Sequence, residues 1–323
     1  MKASIVCAAG PRLADIAVPV PGAEQILVRV KAAALNRADL HVAAGHRHGT
    51  SGGDGTVIGI EWSGEIAGVG EAVPAGFAVG DAVMCSGTGA YAEYAVTDWG
   101  RVYKMPAGLD FRQAAALPIA LQTSHEALAG SGALRRGESV LVQGASSGVG
   151  LMTLQVAREL GAGLVMGTST TASRRERLGD FGAHLAFDPA EPDWPARVHA
   201  ATSGSGCDLV VDFVAGAAMN ANMQAARICG RIVNVGRMGG FTGEFDFDLH
   251  SLRRIRYIGV TFRTRSREEV RAIASEMKRD LWPALSAGRL RMPVSRHFAL
   301  ADAAAALEFT RANLHFGKVV LDI

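Results

Sequence analysis

The sequence predicts an α/β protein of two domains, a β-rich first domain and a second domain built on a doubly wound parallel sheet. The chain has 323 residues, and at roughly 150 residues per domain this gives about two domains. Short apolar stretches broken by glycine, proline and aspartate fill the chain up to about residue 118. Strand and helix patterns then alternate, which is typical of a parallel sheet.

Three stretches of the first domain are predicted to be strands, namely Val28–Ala34, Val57–Val69 and Tyr91–Val96. A glycine precedes the first of them and an asparagine follows it, and the second contains repeated glycines. Short strands with this punctuation favour a small barrel or sandwich over βαβ units.

The second domain begins with a continuous apolar run, Ser139–Gln143, which a glycine-rich turn joins to a helical pattern over Leu151–Leu160. Such a run is typical of a strand buried on both faces. Further strands are predicted at Leu164–Thr168, Leu209–Phe213, Arg231–Val235 and Tyr257–Phe262, a helix at Glu268–Ala287 and a last strand at Phe316–Ile323. We expect the last strand to return to the first domain.

Composition argues against several classes of protein. Hydrophobic residues make up 49% of the chain and charged residues 20%, so it can form proper cores. The net charge of +2 argues against a nucleic-acid-binding protein. No apolar run reaches about 18 residues, so we expect no membrane span, and the N-terminus fits a strand better than a signal peptide. Four widely spaced cysteines without a CxxC pair favour the reducing cytoplasm.

The strongest motif is the turn between the first strand and the first helix of the second domain. Glycines there let the backbone approach a pyrophosphate, and the N–H groups at the helix start can bind that anion. The strand–turn–helix context supports this interpretation over an ordinary glycine-rich turn. The predicted phosphate-binding residues are Gly144, Ala145, Ser146, Ser147, Gly148, Val149 and Gly150.

The end of the next strand favours NADPH over NADH. NAD sites usually carry an acidic residue there to bind the ribose 2′-hydroxyl, whereas this chain continues with Ser169 and Thr170 and then Arg174. Hydroxyl groups and a guanidinium group suit a 2′-phosphate. Arg174 is the first choice for this contact, whereas Arg175 or Arg177 could simply face water. The alternative is a solvated basic helix start.

Segments along nearly the whole chain resemble the zinc-free, quinone-oxidoreductase branch of the medium-chain dehydrogenase/reductase superfamily. They are Ala34–Leu40 (ALNRADL), Gly59–Gly64 (GIEWSG), Gly89–Tyr94 (GAYAEY), Ala114–Leu128 (AAALPIALQTSHEAL), Ala145–Gly150, Val210–Asp212 and Gly317–Leu321 (GKVVL). Within this branch, LNRADL and Phe262–Ser266 (FRTRS) are similar to the p53-inducible type of quinone reductase.

The resemblance implies a GroES-like β-barrel catalytic domain over residues 1–118, completed by 289–323, and a Rossmann domain that binds NADPH over 119–288. It also implies a homodimer. We expect the dimer to form edge to edge through Tyr257–Phe262, because an exposed apolar edge strand pairs readily.

The resemblance also implies that the catalytic zinc of related alcohol dehydrogenases is absent. Their ligand positions fall here near Arg37–Ala38, at Ile60 and near Ile119, and apolar side chains cannot ligate zinc. His41, His46 and His48 lie close in sequence. We interpret their glycine-rich surroundings as a mobile loop without fixed geometry rather than a metal site.

Without a Lewis acid, the chemistry must be hydride addition to an electrophilic small molecule, such as a quinone or an α,β-unsaturated carbonyl. Candidate catalytic residues are Asn36, as an amide donor to the nicotinamide region or acceptor carbonyl, and His41, as a hydrogen-bond or proton donor. His41 could equally line the site without a catalytic role. Trp62 and Tyr91 are candidate walls of the acceptor pocket, or else core residues.

The resemblance places further residues at the cofactor. Thr123 matches the family position that contacts the nicotinamide and is therefore a third candidate catalytic residue. Gly236 lies where the chain passes under the cofactor. Residues of two later segments are expected at its nicotinamide end: Phe262, Arg263, Thr264 and Asn313.

Two alternatives to a quinone or enone reductase remain. An enoyl-thioester reductase would reduce the same alkene attached to coenzyme A or a carrier protein, and would need a basic channel for the phosphopantetheine arm. A nucleotide-binding scaffold or RNA-contacting protein would show no turnover, but RNA binding relies on clustered positive charge.

Overall fold

The computed structural model describes residues 1–8, 10–49 and 51–323, which form two compact units. The first unit is Met1–Ile119 with Phe262–Glu276 and Arg291–Ile323, and the second unit is Ala120–Thr261 with Met277–Leu290. The segment 262–276, expected in the second domain, belongs to the first unit. Ion pairs explain this, because Arg271 of that segment contacts both Glu24 and Asp98.

The strands follow one another in short segments through both units. They are β1 Lys2–Ile5, β2 Arg12–Asp15, β3 Gln25–Ala34, β4 Glu61–Val69, β5 Ala82–Ser86, β6 Tyr94–Asp98, β7 Val102–Lys104, β8 Ser139–Gln143, β9 Leu164–Thr168, β10 Leu185–Phe187, β11 Cys207–Asp212, β12 Ala226–Asn234, β13 Arg256–Gly259, β14 Val294–Ala299 and β15 Lys318–Asp322.

The α-helices of the described residues are mostly short. They are α1 Arg37–Ala43, α2 Phe111–Ala115, α3 Pro118–His125, α4 Gly148–Glu159, α5 Ala172–Arg175, α6 Trp194–Ala201, α7 Met219–Ala225, α8 Phe247–Arg253, α9 Arg267–Ser286 and α10 Ala303–Arg311. A π-helical turn, Glu126–Gly130, follows α3. None of the described helices is both long enough and apolar enough to cross a membrane.

The first unit is built on a sheet whose strand order is β14-β15-β3-β4-β5-β7, with β6 also paired to β3. Strand β15 pairs antiparallel with β3, where Val320 faces Ala34. The predicted return of the last strand to the first domain is therefore confirmed. Apolar side chains of these strands and of α1 and α10 form one core.

The second unit contains a parallel sheet in the order β10-β9-β8-β11-β12-β13. This order is that of a doubly wound dinucleotide-binding fold, and it confirms the predicted Rossmann sheet. The order reverses between β8 and β11, and ligands of such sheets bind beyond the carboxyl ends of the strands at that point. The glycine-rich turn follows β8 and therefore lies at this position.

Candidate active site

The turn between β8 and α4 is held by its own polar groups. Gly144 has a φ of +73°, in the left-handed region that favours glycine. Ser147 caps α4: its hydroxyl accepts a hydrogen bond from Gly150 N at 3.1 Å and donates one to Gly144 O at 2.9 Å. The backbone of the turn is thus fixed before any ligand binds.

Two glycines make this turn possible sterically. A β-carbon at Gly150 would lie 2.6 Å from the carbonyl oxygen of Gly144, so only glycine fits. Ala145 stands where many dinucleotide sites have glycine, and it is fully buried. The Ala145 methyl group has room because the residue opposite it on β9, Gly167, has no side chain. A β-carbon at Gly167 would lie 2.8 Å from the β-carbon of Ala145.

The end of β9 faces the turn with hydroxyl groups. Ser169 donates a hydrogen bond to the Ser146 hydroxyl at 3.0 Å, so the two predicted contact residues lie together. Thr170 is exposed and Arg174 is half-buried on α5. Arg175 does not simply face water, because it donates a hydrogen bond to Ser169 O and pairs with Asp188 at 2.8 Å.

Two further predicted cofactor contacts, Gly236 and Thr123, lie in the second unit. Gly236 follows β12, and a β-carbon there would lie 2.5 Å from Phe213 O. Thr123 is half-buried on α3. Its neighbour Ser124 bonds to the Thr153 hydroxyl of α4 at 2.9 Å, which fixes this part of α3 against the helix that begins at the glycine-rich turn.

The first unit contains a buried ion pair that the sequence did not predict. Lys318 of β15 and Glu61 of β4 form a hydrogen-bonded salt bridge, with side chains 5% and 0% exposed. The other Glu61 oxygen accepts a hydrogen bond from Ile119 N at 3.0 Å. One carboxylate thereby connects two strands and the start of α3.

Asn36 completes this network. Its Oδ1 accepts a hydrogen bond from Lys318 at 2.6 Å, and its Nδ2 donates to Glu61 at 2.8 Å. The contact of the Asn36 amide with the nicotinamide or the acceptor carbonyl stays a prediction. Lys318 is a charged residue in an otherwise apolar strand pattern. This pattern is the sequence signal for a buried ion pair, because buried charges need partners.

Asp39 and Tyr91 form a second buried polar pair beside it. Tyr91 donates a hydrogen bond to Asp39 Oδ2 at 2.8 Å, and the same oxygen accepts from Asn36 N in a capping box at the start of α1. Burial raises the pKa of Asp39 to about 7. The carboxyl group thus fixes the first turn of α1 from within the core.

Trp62 and Tyr91 are not walls of a pocket. Both side chains are fully buried in the core of the first unit. The prediction that they line the acceptor site is therefore wrong, and their alternative interpretation as core residues is confirmed.

His41 lies in the last turn of α1, and its side chain is exposed. The loop after it has a defined conformation where the structure describes it: His48 and Ser51 form a β-bridge, with His48 N donating to Ser51 O at 2.7 Å. The predicted mobility of this loop stays a prediction. Burial, Arg263 and His41 together lower the pKa of His48.

The remaining predicted cofactor contacts also lie in the first unit. Phe262 is half-buried, whereas Arg263 and Thr264 are exposed. Asn313, with a φ of +55°, accepts a hydrogen bond from Arg37 at 2.9 Å. Within the described residues, no group of three or more histidine, cysteine, aspartate or glutamate side chains is arranged to hold a metal ion.

Comparison with known proteins identifies the family. Residues 22–107 match the alcohol dehydrogenase GroES-like domain, and residues 148–279 match the family described as zinc-binding dehydrogenase, a range that includes neither Ile60 nor Ile119. The chain is 31% identical to human quinone oxidoreductase over 313 residues, which cover 95% of this chain and 92% of that protein. The chain belongs to the quinone oxidoreductase family. It is therefore an oxidoreductase of the medium-chain dehydrogenase/reductase superfamily.

Solved structures of similar proteins have the same fold. A mycobacterial protein complexed with NADPH has a TM-score of 0.88 and 27% identity, with 100% of both chains covered. An NAD-dependent alcohol dehydrogenase has a TM-score of 0.88 and 28% identity, also with full coverage. These two structures are described with different dinucleotides, so the fold alone does not identify the cofactor of this chain.

Proposed function

We propose that the protein transfers a hydride from NADPH to a quinone or an α,β-unsaturated carbonyl compound, without zinc. The observation that carries this proposal is the end of β9, where Ser169 contacts Ser146 of the phosphate turn and Arg174 follows on α5. Residues 168–174 contain no carboxylate to repel a 2′-phosphate, and the nearby Asp188 is paired with Arg175. The NADPH complex of the mycobacterial relative and the human quinone oxidoreductase support the same assignment.

The turn fits a dinucleotide phosphate. The start of α4 presents N–H groups where an anion binds well, and glycine at position 150 lets the turn pack closely against that helix start. When bound, NADPH supplies the hydride, and the acceptor gains two electrons and needs a proton on its oxygen. The exposed imidazole of His41 is our candidate proton donor, with water as the alternative. Thr123 is our candidate for the nicotinamide contact.

The acceptor class is tested by steady-state oxidation of NADPH with a benzoquinone, a simple enone and a 2-enoyl-coenzyme A thioester, with the products identified by mass spectrometry. We expect turnover with the quinone or the enone. A strong preference for the thioester would instead assign an enoyl-thioester reductase. Binding of NADPH without turnover of any acceptor would favour a nucleotide-binding scaffold.

Zinc has no place in the proposed reaction, because the resemblance puts two zinc-ligand positions of related alcohol dehydrogenases at Ile60 and near Ile119, whose side chains are apolar. The Ile119 backbone N–H instead bonds to Glu61. We expect elemental analysis of the purified protein to find much less than one zinc per chain, and chelation to leave activity unchanged. About one zinc per chain, lost together with activity on chelation, would contradict this.

We also propose a homodimer joined through β13. This strand lies at one edge of the parallel sheet, and Tyr257 on it and Leu252 and Phe247 near it are exposed. Light scattering at micromolar concentration should give the mass of two chains, and Tyr257→Lys should shift the protein towards monomer, because edge lysines oppose strand pairing. A monomeric wild-type protein would overturn this proposal.

A cytoplasmic location is consistent with the thiols. All four cysteines are free. Burial raises the pKa of Cys85 well above its usual value and that of Cys207 to about 12. These two thiols therefore stay protonated and unreactive at neutral pH.

A further inference from the structure

We propose that Thr168 is a positioning residue for the dinucleotide: its buried hydroxyl, oriented by Gln143 and Asn222, sets the conformation of the phosphate-binding turn. This inference rests on the proposed dinucleotide function of that turn. It concerns a side chain that points into the protein rather than towards the ligand.

The Thr168 hydroxyl joins β9 to the turn. Its oxygen accepts a hydrogen bond from Gly144 N at 3.1 Å, while its proton is donated to Gln143 Oε1 at 2.6 Å. The backbone carbonyl of Thr168 accepts a further hydrogen bond from Ala145 N at 2.9 Å. Two successive N–H groups of the turn are thus held by one residue.

The orientation of the Gln143 amide determines which groups donate and which accept in these hydrogen bonds. Its Nε2 donates a hydrogen bond to Asn222 Oδ1 at 2.7 Å, so its Oε1 must face Thr168. A flipped Gln143 amide would present N–H groups to the hydroxyl, which already accepts from Gly144, and the hydroxyl proton would lose its acceptor. The chain of hydrogen bonds therefore runs from Asn222 on α7 through Gln143 to Thr168 and Gly144.

Burial makes these hydrogen bonds decisive. Gln143, Thr168 and Asn222 are each at most 1% exposed, so water cannot replace a missing partner. A buried polar group left unsatisfied costs more than an average hydrogen bond contributes. The opposite side of Gly144 is held by Ser147, whose hydroxyl donates to its carbonyl oxygen. The left-handed Gly144 peptide is therefore fixed on both sides, and with it the direction of the following N–H groups.

The test compares Thr168→Val with Thr168→Ser. Valine has nearly the same shape but neither accepts from Gly144 nor donates to Gln143, whereas serine keeps both functions. We expect Thr168→Val to weaken binding of NADPH and NADH by the same factor, about tenfold, and Thr168→Ser to bind both nearly as wild type does. Thr310→Val is the matched control, because this buried hydroxyl bonds to a helix carbonyl of the first unit.

Dissociation constants come from calorimetric titration, and thermal unfolding is recorded for every variant. A lower melting temperature with unchanged affinities would overturn the inference, since it would show a purely structural role. A change in the ratio of the two affinities would also overturn it, by indicating direct contact with the 2′-phosphate. If Thr168→Val does not fold, the NADPH and NADH affinities and the melting temperature of Asn222→Ala are measured instead, and the same results support or overturn the inference. A wild-type protein that binds neither dinucleotide would refute the proposed function itself.

Discussion

Lys318→Met should lower the free energy of unfolding by about 3–5 kcal/mol, because it leaves the fully buried Glu61 carboxylate without its cation. Methionine replaces the length of the lysine side chain but none of its hydrogen bonds to Glu61 and Asn36. Denaturant unfolding followed by circular dichroism measures the change. Lys318 also holds Asn36, the N-cap of α1, and α1 carries the candidate proton donor His41. We therefore also expect a lower kcat in the folded fraction.

Two comparisons make this prediction specific. Lys2→Met removes an exposed ion pair with Asp15 and should change stability little, because surface pairs contribute little. Glu61→Gln combined with Lys318→Met removes both charges, and it should recover part of the loss in a double-mutant cycle. A Lys318→Met protein as stable as wild type would show that the pair does not hold β15 to β4.

Arg174→Ala should weaken NADPH binding about 10- to 150-fold, because a charge-assisted hydrogen bond contributes about 1.5–3 kcal/mol. Binding of NADH should stay nearly unchanged, since NADH has no 2′-phosphate. Quenching of tryptophan fluorescence on titration with each cofactor measures both affinities.

Arg177→Ala is the control on the same segment, because Arg177 is exposed and should have little effect on either cofactor. Arg175 is unsuitable as a control, since it is bonded to Ser169 and Asp188. Equal loss of both cofactors in Arg174→Ala, or a wild-type preference for NADH, would show that Arg174 does not contact the 2′-phosphate.

Much of the second unit could be predicted from sequence because its strands are buried on both faces. Ser139–Gln143 and Leu164–Thr168 have the predicted bounds in the structure, since a continuous apolar run bounded by polar residues or glycine marks such strands clearly. Strand β13 is shorter than predicted and ends at Gly259. It lies at the sheet edge, where apolar character extends beyond the residues that pair.

The polar networks could not be predicted in the same way. Glu61 and Lys318 are far apart in sequence, and only the pairing of β15 with β3 and of β3 with β4 brings them together. The same limit applies to Thr168. Its position at the end of β9 could be predicted, but the inward direction of its hydroxyl depends on Gln143 of the neighbouring strand.

Trp62 shows how register decides the role of an aromatic residue. Successive side chains of a strand point to opposite faces, so a shift of one residue would have placed Trp62 on the other face of β4. Pairing of Trp62 with Cys85 and Ala33 fixes it on the core side. The motif around it identified the family correctly without revealing which face each side chain occupies.

The most direct test of the central claim is a rate measurement on protein mixed with NADPH and a benzoquinone in the presence of a zinc chelator. We expect loss of nicotinamide absorbance that requires both protein and quinone, persists with the chelator, and is faster than with NADH at equal concentration. No protein-dependent oxidation of NADPH, oxidation abolished by the chelator, or faster oxidation of NADH would contradict that claim.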